Sequence, residues 1–127
     1  MDYSEILVNM DYSSDPLWVS GNGVWINTSL EEYEKMLSKP LLHSLEVYRR
    51  LWEADKWSRY ITPNSQSQEY FGMGIVKDAL EEIVPELAAQ LKTELPDCRV
   101  FYRDAESNTV EISGDTKPYG IRSTLVG

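Results

Sequence analysis

Leu17-Trp18-Val19-Ser20-Gly21-Asn22-Gly23-Val24-Trp25-Ile26-Asn27 is the stretch whose reading decides the fold. Two apolar runs flank Gly21-Asn22-Gly23, a link that permits the positive φ values a tight hairpin requires. The stretch predicts a β-hairpin with Trp18 and Trp25 on opposing arms. Upstream, Ile6-Leu7-Val8-Asn9-Met10-Asp11-Tyr12 is apolar and ends in the turn-forming cluster Ser13-Ser14-Asp15-Pro16, which predicts a first strand over 6–12.

Downstream the period changes from two to about 3.6. Thr28 and Ser29 each have a glutamate three residues on, Glu31 and Glu32, the capping-box arrangement, so a short helix is expected near Leu30. Pro40 either ends that helix or opens the next. Leu41, Leu45, Tyr48 and Trp52 then place one apolar stripe on a helix running to about Trp57. The polar stretch from Thr62 to Gln68 reads as the longest exposed loop. Val76, Leu80, Ile83, Leu87 and Leu91 share one helical phase through Pro85, which favours a kinked helix over two abutting ones.

After Pro96 the pattern reverts to strands. Cys98–Arg103 and Thr109–Ser113, joined by a polar Asp104–Asn108 turn, predict a second hairpin; the tail from Gly114 is read as loose or as a short edge strand. The expected architecture is one α+β domain over 1–127. A small antiparallel sheet from N-terminal and C-terminal strands packs on two or three helices. At 127 residues a single core removes roughly two thirds of the unfolded surface from water.

Charge narrows the function. Twenty-one Asp and Glu stand against twelve Lys and Arg, a formal net charge of −9. Such a surface repels nucleic acid and anionic lipid and steers basic partners inward. No nucleic-acid or membrane partner is expected; a basic protein is. The N-terminus, Met1-Asp2-Tyr3-Ser4-Glu5, lacks a basic n-region and an apolar h-region, and Cys98 is the lone cysteine, so a cytoplasmic location is expected. Asn27-Thr28-Ser29 matches a glycosylation sequon but reads better as the polar lead into a helix.

Catalytic chemistry finds little support. His43 and Cys98 are the only residues of their types, too few for a three-ligand zinc site. His43 reads as a structural helical residue and Cys98 as a buried, inert thiol. No G-x-S-x-G elbow is present. Gly72-Met73-Gly74 opens a helix on this reading, but no Walker lysine follows, and Asp78, Glu81 and Glu82 oppose a phosphate there. The chain is read as no enzyme, with no catalytic residue, metal or cofactor.

The partner-binding candidates are two acidic clusters and one aromatic residue: Glu31, Glu32 and Glu34; Asp78, Glu81, Glu82 and Glu86; and Trp57, flanked by Lys56 and off the main stripe. Exposed Trp and Tyr are frequent anchors of interfaces.

Three segments resemble the small acidic immunity proteins with which bacteria neutralise their own polymorphic or contact-dependent inhibition toxins. They are DYSSDPLW at 11–18, LLHSLEVYRRLWEAD at 41–55 and ELAAQLKTELPDCRVFY at 86–102. The resemblance implies a protein that binds a cognate toxin domain, plausibly a basic nuclease, with carboxylates standing in for nucleic-acid phosphates. The alternative is a non-enzymatic adaptor or regulatory module using the same acidic and aromatic surface.

Overall fold

The computed structural model describes residues 2–61 and 66–113, with side chains described up to Lys56 and again from Val76. The elements run β1 (Glu5–Val8), β2 (Leu17–Gly21), β3 (Val24–Thr28), a 3-10 helix (Leu30–Tyr33), α1 (Lys39–Ile61), α2 (Gln66–Glu94), β4 (Arg99–Arg103) and β5 (Thr109–Ile112). They form the expected α+β arrangement, a five-stranded sheet in the order β3-β2-β1-β4-β5 with both helices packed against it.

The first hairpin is as its sequence demands. Asn22 and Gly23 have φ of 53° and 82°, and Gly21 pairs directly with Val24, so the loop is the two-residue type I′ turn whose twist suits a hairpin. The first strand is shorter than 6–12. The Asn9 N–H still donates to the Pro16 carbonyl at 3.0 Å, but Pro16 has no N–H to return, so the ladder stops at Val8 and the Asn9 carbonyl accepts from the Trp18 indole N–H at 2.9 Å instead. Asp11 and Ser14 then close a turn, with the Asp11 N–H donating to the Ser14 hydroxyl at 2.9 Å.

One pairing departs from the antiparallel expectation. β1 runs parallel to β4 in the register Glu5↔Arg99 to Val8↔Tyr102, while every other pair is antiparallel. A parallel pair requires a long crossover, and the hairpin and both helices supply it. The end of α2 delivers the chain to the start of β1, where the Arg99 N–H donates to the Ser4 carbonyl at 2.7 Å. β1 is thereby the middle strand, and its Ile6, Leu7 and Val8 are all buried.

Ile6, Val8, Leu17, Val19 and Val100 meet Leu41, Leu45 and Tyr48 of α1 and Leu80, Val84, Leu87, Ala88 and Leu91 of α2 in one core. Each fully buried aliphatic chain contributes about 1.5–3 kcal/mol relative to exposure. Leu7 points to the opposite face, in register with Trp18 and Phe101. There Trp25 meets Phe101 edge to face at 5.6 Å although two strands separate them.

Of the two capping-box candidates, Ser29 with Glu32 is realised: the Ser29 N–H donates to the Glu32 carboxylate at 2.9 Å and the Ser29 hydroxyl accepts from the Glu31 N–H at 3.1 Å. Thr28 is buried instead. Its hydroxyl donates to the Leu17 carbonyl at 2.8 Å and lies 2.7 Å from the Tyr33 hydroxyl, which therefore donates to Thr28. Burial pushes the Tyr33 phenol up to about 12.

Ser38 caps α1, its hydroxyl accepting from the Leu41 N–H at 3.2 Å; Pro40 sits in the first turn, where its missing N–H costs nothing. α1 extends past Trp57 to Ile61, and α2 passes through Pro85 as one helix. Gly72 and Gly74 lie inside α2, so the expectation that they open a helix is wrong: no helix N–H donors are free there. Residues 62–65 of the expected loop and the tail from Gly114 lie outside the described residues, whereas Gln66–Gln68 belong to α2.

Candidate functional site

The sequence of α2 separates two faces. Val76, Leu80, Ile83, Val84, Leu87, Ala88 and Leu91 belong to or pack on the core. Asp78, Glu82, Glu86, Gln90 and Glu94 recur at intervals of four residues, and each such step turns about 40° around the helix. The row therefore winds from the outer face at Asp78 towards α1 at Glu94.

Its last three members enter a groove of about 600 Å³ between the helices, lined from α1 by Ser38, Leu41, His43, Ser44 and Val47 and from α2 by Ile83, Glu86, Leu87, Gln90 and Glu94. Leu41 and Leu87 give it an apolar floor; the carboxylates, hydroxyls and His43 form a polar rim. Among the described residues no lysine or arginine lines it.

Glu94 is held in place. Its carboxylate accepts from the Ser38 N–H at 2.7 Å, the Ser38 hydroxyl at 2.6 Å and the Gln90 amide at 3.1 Å. Burial pushes the carboxyl up, but these donors outweigh it and hold the group below its ordinary range. One serine thus caps α1, ties it to the end of α2 and fixes a carboxylate at the mouth of the groove.

The charges elsewhere are more balanced. On α1, Arg49 bridges Glu46 and Glu53 and Arg50 joins Glu46 at 3.1 Å. Arg99 links Glu5 at 2.7 Å and Glu111 at 2.8 Å across the sheet. Lys92 of α2 is spent on the carbonyls of Pro96 and Cys98, at 2.9 and 2.6 Å. Burial pushes the Cys98 thiol up, which disfavours a thiolate.

Of the residues predicted from sequence, Glu86 is the one that lines the groove. Asp78 and Glu82 are exposed on the same row, and Glu81, exposed beside it, pairs with Lys77 at 3.1 Å. Glu31, Glu32 and Glu34 are exposed on a different element, the 3-10 helix and its C-cap. Glu32 is committed locally, to the Ser29 N–H and to the Tyr3 hydroxyl at 3.0 Å. Trp57 lies in α1, but its side chain is outside the described residues.

Sequence reasoning missed Glu94, Gln90 and Ser38. The four-residue recurrence from Asp78 to Glu94 was visible and would have found the first two; the Ser38 contact is made by tertiary packing alone. Among the described residues no group of three His, Cys, Asp or Glu is placed to hold a metal ion, and no helix is long and apolar enough to cross a membrane. No family model, characterised protein or solved structure matches the chain.

Proposed function

We propose that this protein is an immunity protein that binds and neutralises a cognate toxin domain of basic surface. The observation that carries the reading is the row Asp78, Glu82, Glu86 and Glu94, whose later members line a groove that shows, among the described residues, no lysine or arginine. Like charges at four-residue spacing, here Asp78–Glu82 and Glu82–Glu86, weaken a helix by about 0.2–0.5 kcal/mol per pair. Set against a basic partner, the row steers encounter, and the pre-fixed Glu94 receives a lysine or arginine without further ordering cost. The partner is a protein; the cytoplasm, where such toxins arrive, is the proposed site of action.

The test is binding of the basic toxin-like domain encoded beside this gene, measured by surface-immobilised kinetics at low and high salt. We expect nanomolar or tighter association whose on-rate falls with salt and falls about tenfold or more on combined reversal Glu82→Lys and Glu86→Lys. Reversal of Glu31 and Glu34 is the matched comparison. An on-rate indifferent to both sets removes the acidic-surface mechanism, and capture of a housekeeping protein in place of a toxin favours the adaptor reading.

A further inference from the structure

The fifteen-residue segment from Pro16 to Leu30 contains no charged residue, in a chain that is 26% charged. It includes β3, which among the described residues has a strand neighbour on one side only. Exposed edges are normally blunted by lysine, proline or a bulge. β3, Val-Trp-Ile-Asn-Thr, has no charge and no proline, and its register with β2 is unbroken from Gly21↔Val24 to Leu17↔Thr28. Val24 and Ile26 stand on it 59% and 42% exposed. The other described edge, β5, carries Glu111.

The turn fixes which backbone groups point away from β2. Gly21 and Val24 flank a two-residue loop and exchange ladder bonds, so Val24, Ile26 and Thr28 bond inward to β2. Trp25 and Asn27 consequently direct N–H and C=O outward.

We propose that β3 docks against β3 of a second copy of this chain, making a two-fold dimer with one continuous sheet. An antiparallel strand pair has two-fold symmetry of its own, so a strand that matches itself satisfies a closed, isologous interface. β3 matches itself. In the register centred on Ile26, Trp25 of one copy exchanges bonds with Asn27 of the other, and reciprocally. Ile26 then faces Ile26 at a non-hydrogen-bonded position, where side chains approach most closely, and Val24 faces Thr28. No register sets like charges opposite each other. Net charge of −9 per copy opposes association, but of the strands α2 packs chiefly on β1, β4 and β5, which sets the helix carrying the acidic row towards the β5 end of the sheet, and Glu31, Glu32 and Glu34 fall outside the paired residues 24–28. Charges beyond about 10 Å are largely screened at physiological salt.

Sedimentation velocity over a concentration series tests this directly. We expect a monomer–dimer equilibrium that tightens as salt rises, opposite in sign to the salt response of a basic-partner complex. Ile26→Lys places two ammonium groups at the axis and should weaken the dimer by about tenfold or more. Val24→Lys, at the more exposed position, provides the same reading should Ile26→Lys perturb the fold, which circular dichroism checks. Amide exchange at Trp25 and Asn27 should slow with protein concentration. A protein that stays monomeric up to about millimolar concentration overturns the proposal, as does a dimer that both lysine variants leave unchanged. Neither result touches the immunity reading, which rests on α2.

Discussion

Ser38 shows how much one small side chain can organise. Its hydroxyl accepts from the Leu41 N–H and donates to Glu94, and its own N–H donates to the same carboxylate. Because the folded state holds the Glu94 carboxyl below its ordinary range, the unfolded chain takes up that proton first as pH falls. The contribution is therefore complete above about pH 5 and is lost as pH drops through the acid range. Ser38→Ala removes the cap, at a cost of about 0.5–2 kcal/mol, and removes the hydroxyl donor to Glu94. Two outcomes are expected. The Glu94 titration midpoint, followed by NMR, moves up, and the stability gap between wild type and variant, followed by urea unfolding, narrows below about pH 4. A gap that stays constant from pH 7 to pH 3 would mean that Glu94 draws no stability from Ser38.

At the scale of elements, α2 sets stability against binding. Glu82 lies four residues from both Asp78 and Glu86 and is exposed, so Glu82→Gln relieves repulsion on both sides. The thermal midpoint should rise, by the equivalent of about 0.4–1 kcal/mol, while association with a basic toxin domain slows. A destabilised variant would show that the row is sustained by favourable contacts and is no sign of selection for binding. The same helix shows what a sequence displays and what it hides. Its apolar phase through Pro85, the capping box at Ser29 and the Asn22-Gly23 turn are local patterns, and each was legible. Gly72-Met73-Gly74 misled because a glycine costs a helix interior only about 1 kcal/mol, too little to mark a boundary. The β1–β4 pairing left no trace, since strands joined in parallel through a hairpin and two helices share no local signature. Half of the candidate site was hidden for the same reason. Glu86 could be named from its charge, whereas the groove exists only once α1 and α2 pack.

The whole molecule is three layers deep at its centre. The helices cover one face of the sheet, and on the other the side chains of Trp18, Trp25 and Phe101 gather around Leu7, the residue in register with both Trp18 and Phe101. Arg99 adds to this layer, lying over the Phe101 ring at 5.1 Å while it ties β1 to β5 through Glu5 and Glu111. A sheet with one open face would leave Leu7 wet, and truncating it would cost little. Leu7 is instead 1% exposed, as dry as its neighbours in the helix-side core. Leu7→Ala should therefore destabilise by about 2–5 kcal/mol, the range for a leucine removed from a packed interior. Val110→Ala, at a half-buried position on the edge strand β5, should cost less than about 1 kcal/mol. Urea unfolding of the two variants measures the difference. Comparable small losses would mean that the aromatic layer does not exclude water from the sheet; the expected large gap would make β1 the strand on which both layers depend, joining the N-terminal hairpin on one side to the C-terminal hairpin on the other.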